Sequence, residues 1–307
     1  MQVLASGLQF PEGPVAMQDG SVLLVELAGQ CLTRVSADSV VERVAEIPGG
    51  PNGAAVGPDG NIYICNNGGG LRWVREGDTI RAAGMGKPEE YLGGSIDVVN
   101  MRTGRVERLY DRCGEHPLRS PNDLVFDAHG GFYFSDLGKR RDRDMDRGFV
   151  YWARADGSEI RQVAGPLITP NGVGLSPDGR VLYVAETETG RLWSYEIEAP
   201  GRLRHRPWPS FNGGRLVRGF AEFMRFDSLA VASSGNICVA ALTDCSVMEI
   251  APDGAHVRRH PVPDLGVTNL CFGGPSGRTA YLTLAHRGLL CSMDWHEPGL
   301  LLHHQLD

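Results

Sequence analysis

The sequence lacks the signatures of many catalytic and nucleotide-binding folds. It contains no GxSxG, HExxH or GxxxxGK[ST] motif, and no GxGxxG motif follows a predicted strand. These absences exclude the usual patterns of serine hydrolases, zinc proteases, P-loop proteins and dinucleotide-binding proteins. No stretch approaches the roughly 20 apolar residues of a membrane span, and the N-terminus has no charged region before a long apolar run. We therefore expect an unexported protein with no membrane partner.

Paired cysteines are missing as well. The seven cysteines are odd in number, scattered, and form no CxxC pair: Cys31, Cys65, Cys113, Cys238, Cys245, Cys271 and Cys291. Most of them lie inside apolar strand patterns, which indicates small core residues in a reducing compartment. The sequence therefore predicts a cytoplasmic location without disulfides.

The sequence also has no basic patch. Its net charge is −7, and its densest charge run, residues 139–147, alternates in sign. Proteins that bind nucleic acids usually concentrate Lys and Arg on one face. We therefore expect no nucleic-acid partner.

The clearest positive feature is a repeat in which an apolar alternation enters a Gly-containing turn and a second apolar strand leaves it. Six copies begin at Gly13, Gly53, Asp123, Gly172, Ser228 and Leu270. Such copies indicate β-hairpins, and their spacing of roughly 40 to 70 residues is typical of propeller blades. The repeats predict an all-β fold, a six-bladed β-propeller with four-stranded blades around a central channel. They run along the whole chain, so we expect one domain over residues 1–307.

An oxygen-bearing side chain stands at the start of each predicted inner strand. These residues are Glu12, Asn52, Asn122, Asn171, Asp227 and Asn269. Asn followed by Gly is also a common turn dipeptide, so each amide by itself is explained by a turn. In a propeller, however, the starts of the inner strands converge on one mouth of the channel. Two carboxylates in that space need a cation, because buried unpaired charge costs several kcal/mol.

The donor atoms restrict the cation and its chemistry. Glu12, Asn171 and Asp227 offer hard oxygen ligands without imidazole or thiolate, which suits Ca²⁺, Mg²⁺ or Mn²⁺ better than a typical Zn²⁺ site. We expect one divalent ion, with Ca²⁺ favoured, while Mn²⁺, Fe²⁺ or Zn²⁺ remain open where availability favours them. Such an ion supports attack of water on an ester-like carbon.

Several stretches resemble the successive blade motifs of one family. They are FPEGPV around Glu12, SPNDLVFDAHGGFYFSD around Asn122, TPNGVGLSPDGRVLYVAET around Asn171, DSLAVASSGNICVA around Asp227, and TNLCFGGPSGRTAYLT. The family contains the gluconolactonases, regucalcin (senescence marker protein) and the luciferin-regenerating enzymes. The resemblance implies a six-bladed propeller, one divalent ion at the channel mouth, and hydrolysis of a small-molecule lactone.

Site roles follow from the same resemblance. Glu12, Asn171 and Asp227 match the metal ligands of the family, and Asn122 matches its substrate-contacting asparagine. Several relatives carry an arginine two residues before that asparagine, where this chain has Ser120, with Arg119 beside it. We predict Asp227 as the base that accepts a proton from water.

Predicted substrate contacts are Asn122, Asn52, Arg119 and Asn269, although Asn52 and Asn269 are also explained as turn caps. Two other function classes remain open, a calcium-binding regulatory or scaffold propeller without catalysis, and a metal-dependent ester or phosphotriester hydrolase. Residues 68–97 are longer than a blade connection requires, and they form either a lid over the channel or an ordinary surface insertion. The apolar segments QVLASGLQF and GLLCSMDW, near the two ends of the chain, are expected to share one blade and close the ring.

Overall fold

The computed structural model describes residues 1–305, which consist almost entirely of short β-strands. In the first half these are β1 (Gln2–Ala5), β2 (Pro11–Ala16), β3 (Val22–Glu26), β4 (Cys31–Val35), β5 (Val41–Glu46), β6 (Pro51–Val56), β7 (Ile62–Asn66), β8 (Leu71–Glu76), β9 (Thr79–Met85), β10 (Ser95–Val99), β11 (Val106–Tyr110), β12 (Arg112–Cys113), β13 (His116–Pro117), β14 (Pro121–Phe126) and β15 (Gly131–Asp136). In the second half they are β16 (Gly148–Arg154), β17 (Ile160–Leu167), β18 (Pro170–Leu175), β19 (Val181–Glu186), β20 (Arg191–Ala199), β21 (Arg202–Arg204), β22 (Arg215–Gly219), β23 (Phe226–Val231), β24 (Ile237–Ala241), β25 (Ser246–Ile250), β26 (Val257–Pro261), β27 (Val267–Gly273), β28 (Thr279–Leu284) and β29 (Leu289–Asp294). Short 3-10 helices cover Pro88–Glu90 and Ala285–Arg287.

Six antiparallel sheets form the propeller blades, and two further two-stranded sheets, β8–β9 and β12–β13, lie outside them. Blade 1 is β2–β5, blade 2 is β6, β7, β10 and β11, and blade 3 is β14–β17. Blade 4 is β18–β21, with β22 also pairing β20, blade 5 is β23–β26, and blade 6 is β27–β29 with β1. The innermost strands β2, β6, β14, β18, β23 and β27 contact their neighbours around a closed ring. The predicted six-bladed propeller with four-stranded blades is confirmed.

The predicted Gly turns join the first two strands of the blades. In blade 1, Gly20 adopts φ 81°, a conformation that favours glycine because it has no Cβ. The amide of Ser21 donates to Asp19 Oδ1 at 3.0 Å, which fixes the same turn. Because such turns depend on a few neighbouring residues, the repeat could be recognised in the sequence.

The core lies between neighbouring blades. One cluster joins Tyr133 and Trp152 of blade 3 to Trp193 and Tyr195 of blade 4, and all four side chains are buried. Aromatic side chains of this size bury large areas and dominate core energetics. The blades therefore stabilise one another across their faces, and the geometry of the inner ring depends on that packing.

The two ends of the chain meet in blade 6. β1 pairs antiparallel with β29, with Val3 opposite Cys291. This arrangement confirms the predicted ring closure. The inner strands of the first and last blades, β2 and β27, contact each other directly and so close the ring of inner strands.

The C-terminal residues cover the channel at the end opposite the starts of the inner strands. The amide of Leu300 donates to the carbonyl of Val231 at 2.8 Å. Leu300 and Leu302 then line a cavity of about 70 Å³ together with Leu175 and Phe272. This end of the channel is apolar, in contrast to the polar mouth described below.

Among residues 1–305, the structure contains no helix long and apolar enough to cross a membrane. All seven cysteines are free, and five are buried as predicted. Cys113 and Cys245 are partly exposed, so the expectation of core cysteines is wrong for these two.

Candidate active site

Every inner strand carries a β-bulge at its start. In blades 2 to 5 the pairs Asn52-Gly53, Asn122-Asp123, Asn171-Gly172 and Asp227-Ser228 each stand opposite a single residue of the second strand. In blade 1 the extra residue follows Glu12 directly. A bulge redirects side chains and ends regular pairing, and it is common beside active sites. The predicted polar residues of blades 1 to 5 thus occupy equivalent positions around the channel.

The last blade differs from the predicted pattern by one residue. Val267 pairs with Leu284 and Asn269 pairs with Thr283, so Thr268 is the extra residue of this bulge. Thr268 therefore stands at the ring position, where it donates a hydrogen bond to Glu12. Asn269 lies one residue further along, buried, and it lines the central cavity together with Gly13 and Asp123. Placing Asn269 in the ring was wrong.

The Asn-Gly pairs are not turns. Asn52-Gly53 lies within β6, Asn171-Gly172 lies within β18, and neither glycine has positive φ. A Cβ on Gly53 would lie 2.5 Å from the carbonyl oxygen of Asn122, and one on Gly172 would lie 2.6 Å from the amide nitrogen of Leu229. Glycine is required there because neighbouring inner strands approach too closely for a side chain.

The carboxylates of the ring perturb one another. Glu12 is buried, and burial together with the neighbouring Asp227 carboxylate raises its pKa well above the usual range. Asp227 keeps partial exposure, but desolvation in the channel raises its pKa to about 7 against an opposing hydrogen bond from Asn171. Two acids that disfavour each other's charged form are a common feature of metal and catalytic sites.

A third carboxyl group, Asp123, was not identified from the sequence as a site residue. It is buried, and burial raises its pKa to about 7, although Leu124, Val173 and Ser228 donate hydrogen bonds to it. Its charge also raises the pKa values of Glu12 and Asp227. The sequence does contain a signal for it, because Asp123 stands in the PND motif where the EGP and PNG motifs have glycine.

The amide side chains differ in how fully they are bonded. Asn171 donates to Thr187 Oγ1 at 3.2 Å, and its Oδ1 accepts from Ser228 at 3.4 Å. Asn122 is buried, and its Oδ1 has no hydrogen-bond partner within residues 1–305. Asn52 is also buried at its ring position. The structure therefore fixes Asn171 firmly and leaves the oxygen of Asn122 available.

The donor set fits a divalent cation. Glu12 Oε2 is buried and, like Asn122 Oδ1, has no hydrogen-bond partner in the described part of the chain. Leaving such atoms unpaired costs roughly 1–3 kcal/mol each, more when charged. Three acids with raised pKa values and two unpaired oxygens are the arrangement that a hard cation resolves, since it takes carboxylate and amide oxygens as ligands.

Acidic side chains at the ends of second strands hold the segments that lead into the ring. Asp136 accepts hydrogen bonds from the backbone amides of Arg119 and Ser120, both at 2.7 Å. In the same way, Glu26 accepts a hydrogen bond from the amide of Gln9 at 2.6 Å. Glu186 accepts one from the amide of Ile168, also at 2.6 Å. These three acids were not predicted from the sequence, although each is the last residue of a strand segment in the repeat: LLVE, FYFSD and VLYVAE.

The predicted residue Arg119 lies on the rim. Its backbone is fixed by Asp136, but its guanidinium group is half exposed and lies 3.9 Å from Asp146. The described contacts do not bring its side chain to Asn122. Arg119 therefore pairs with the charged loop at 139–147 in this structure.

The insertion at 68–97 lies on the mouth side of the propeller. Its hairpin, β8 and β9, leaves blade 2, and β9 contacts the 3-10 helix Ala285–Arg287 of blade 6. Trp73 packs on Phe10, with ring centroids 5.1 Å apart, and Phe10 also contacts His286 at 5.8 Å. Phe10 precedes Glu12 by two residues, so this aromatic cluster borders the ring.

Comparison with known proteins shows which family the sequence matches and which folds are similar. The family described as "SMP-30/Gluconolactonase/LRE-like region" matches residues 10–286. A gluconolactonase of Zymomonas mobilis is 25% identical over 93% of this chain and 79% of its own length. A lactonase of Staphylococcus haemolyticus is 27% identical over 78% of this chain and 65% of its own length. The solved structure of the calcium-binding protein regucalcin from Agrobacterium tumefaciens has a TM-score of 0.74 at 18% identity, covering 98% of this chain and 97% of that one, which shows the fold alone.

Proposed function

Because the chain belongs to the SMP-30/gluconolactonase/LRE-like family, we propose that this lactone hydrolase opens its substrate with water, with the help of one divalent cation in the channel. The observation that carries the proposal is the ring itself, where Glu12 and Asn122 hold unpaired buried oxygens beside two further carboxyl groups. We assign Glu12, Asn171 and Asp227 as the ligands of the cation. A cation bound there would polarise the lactone carbonyl and lower the pKa of water in the site.

Asp227 is the proposed general base. It is the ring acid that keeps partial exposure, so one of its carboxylate oxygens can accept a proton from the attacking water while the other faces the cation. The hydrogen bond from Asn171 holds its carboxyl group in place. Glu12 is fully buried and therefore serves mainly to hold the cation.

Asn122 is the proposed substrate contact. Its unpaired Oδ1 accepts a hydroxyl of the substrate, and its amide nitrogen donates to the ring or carbonyl oxygen. Asp136 fixes the two residues that precede the PND motif, so the side chain of Asn122 starts from a rigid backbone. Asn52 extends the polar wall on the blade 2 side, whereas Arg119 acts only with a substrate that reaches the rim.

The proposed cation is Ca²⁺. The ring offers carboxylate and amide oxygens, and it includes no imidazole or thiolate among its assigned ligands. A propeller that holds calcium without catalysis is not favoured, because the relatives that match most of this chain are named as lactone hydrolases. An open-chain ester or phosphotriester hydrolase is not favoured for the same reason.

The test is proton release from a panel of five- and six-membered sugar and aliphatic lactones. Chelator-treated protein receives one divalent metal at a time, and matched open-chain esters serve as controls. We expect hydrolysis that returns with added metal and that prefers lactones over esters. Full activity in the stripped protein would overturn the role of the cation, and silence on every lactone with the metal bound would overturn the proposed activity.

A further inference from the structure

Three metal-binding side chains converge far from the ring, where blade 5 meets the residues that follow β29. They are Glu249 of β25, His260 of β26, and His296 two residues beyond β29. His260 Nε2 lies 2.7 Å from Glu249 Oε2, and His296 Nε2 lies 3.3 Å from Glu249 Oε1. The three candidate ligand atoms all lie within 4.8 Å of one another.

The surrounding residues hold these side chains in position. Asn236 donates to Glu249 Oε1 at 2.8 Å. Trp295 packs against His260 with ring centroids 4.1 Å apart, and the rings of His260 and His296 are nearly parallel, at 9°. The hydrogen bond from Asn236 leaves the Glu249 carboxylate in contact with both imidazoles. A second-shell hydrogen bond of this kind is typical of metal ligands.

The donor chemistry differs from that of the ring. Two imidazole nitrogens with one carboxylate form the protein ligand set of many Zn²⁺ sites, which leave a fourth position for water. Ligand atoms in a tetrahedral Zn²⁺ site lie about 3.4 Å apart, since each is about 2.1 Å from the metal. The 3.3 Å between His296 Nε2 and Glu249 Oε1 is close to that value, whereas the 2.7 Å between His260 Nε2 and Glu249 Oε2 is a direct hydrogen bond that a bound metal would replace. His296 is 38% exposed, so the cluster is open to solvent on one side.

We propose that Glu249, His260 and His296 form a second metal site, which takes Zn²⁺ or a similar transition metal and is separate from the cation of the channel. This site does not rest on the proposed lactone hydrolysis. It stands on the outer part of blade 5, and none of its ligands belongs to the ring. Glu297 Oε1, 3.6 Å from His296 Nε2, is placed to support the fourth position.

The site would tie the C-terminal segment to blade 5. Directly after His296, Glu297 accepts hydrogen bonds from the backbone and the hydroxyl of Ser234 at 3.2 and 2.9 Å. Gly299 bridges to Ala232, and Leu300 then enters the far end of the channel. A metal that joins His296 to Glu249 and His260 therefore stabilises the segment that covers the channel.

The test measures Zn²⁺ bound to full-length chelator-treated protein by equilibrium dialysis with elemental analysis. Saturating Ca²⁺ is present throughout, so that the oxygen-lined ring prefers calcium. The variant is His296→Gln, a partly exposed position that tolerates the change, and the control is His256→Gln, an exposed histidine of the same blade. We expect the variant to bind one Zn²⁺ equivalent fewer than both the wild type and the control.

A second readout is thermal unfolding with His260→Gln as a further variant. Zn²⁺ should raise the Tm of the wild type and of His256→Gln by several degrees, and it should leave both His260→Gln and His296→Gln unchanged. Circular dichroism confirms that each variant is folded before metal is added. Equal Zn²⁺ binding by His296→Gln and the wild type, or no calcium-independent Zn²⁺ binding by the wild type, would overturn the site.

Discussion

One extra residue in each inner strand decides which side chains reach the channel mouth. The bulges set Glu12, Asn122, Asn171 and Asp227 at equivalent positions, although these residues are far apart in the sequence. Two of their buried oxygens, Glu12 Oε2 and Asn122 Oδ1, have no hydrogen-bond partner among residues 1–305. At the scale of the residue, the site is an arrangement of oxygen acceptors that suits the proposed cation.

Asp227→Asn should remove the proposed base while keeping an oxygen for the cation. We expect kcat to fall by about 10²- to 10⁴-fold, the usual range for loss of a general base, with the fold intact. Steady-state kinetics on the preferred lactone, beside metal binding by calorimetry, measure both effects. Asp38→Asn, at an exposed position, is the matched control, and wild-type turnover in Asp227→Asn would refute the assignment.

Glu12→Gln should act chiefly on the metal. The substitution keeps the shape of the side chain but removes a buried negative charge, so the affinity for the divalent cation should fall by at least the roughly 10- to 100-fold known for weaker outer-shell changes. Activity should return at high metal concentration. Calorimetric titration of Ca²⁺ checks this, with Glu42→Gln as the exposed control. Unchanged metal affinity would remove Glu12 from the ligand set.

At the scale of the element, the hairpin of β8 and β9 is the addition that distinguishes blade 2. It crosses from blade 2 toward the 3-10 helix of blade 6 and places Trp73 against Phe10, close to the ring. The hairpin therefore spans blade 1 on the mouth side of the propeller. The arrangement favours the lid interpretation of residues 68–97, which stays a prediction about function.

Trp73→Ala should loosen this hairpin over the mouth. We expect KM for the preferred lactone to rise several-fold with a smaller change in kcat, because binding contacts are lost while the ring is untouched. Asp78→Ala, at the exposed tip of the same hairpin, is the control. Identical KM values for Trp73→Ala and the wild type would show that the hairpin is no lid.

Strand β1 is a second element with a defined task, since it completes blade 6 by pairing with β29. Deletion of residues 1–5 should expose the edge of β29 and lower the Tm by several degrees, given that about 1 kcal/mol shifts the Tm of a protein near this size by roughly 2–4 °C. Val3→Thr, at a half-exposed position of the same strand, is the control. An unchanged Tm after deletion would contradict the role of β1 in closure.

At the scale of the whole molecule, the ring acids link stability to pH. Asp123 and Asp227 have pKa values of about 7 in the folded state, against about 3.9 for an unfolded Asp. Between pH 4 and 7 the folded state therefore binds more protons than the unfolded state, and stability falls as pH rises through this window. If the proposed cation binds these carboxylates, it favours their charged forms, so metal binding and stability are coupled through the same groups.

Thermal unfolding of chelator-treated protein should accordingly show a Tm that decreases from pH 4 to 7. Added Ca²⁺ should raise the Tm more at pH 7.5 than at pH 5, since deprotonated carboxylates bind it better. Asp227→Asn should flatten the pH dependence. A Tm of the chelator-treated protein that rises across this range would contradict the raised pKa values of Asp123 and Asp227.

Much of this molecule follows from local sequence. The Gly turns and apolar alternation specified the hairpins, because turn conformation and strand amphipathicity depend on neighbouring residues alone. The number of blades followed from counting the repeats, and the shared last blade followed from the apolar ends of the chain. The polar residues at the starts of the inner strands could also be predicted from the sequence in blades 1 to 5.

Only the tertiary structure decided the register and the environment of the site. Thr268 replaces Asn269 in the ring because a bulge shifts the last inner strand by one residue, and no local pattern marks that shift. Gly53 and Gly172 are explained by the approach of the next strand, not by a turn. Asp123 became a site residue, and Glu249, His260 and His296 became a cluster, because burial and distance between remote segments arise only when the blades pack.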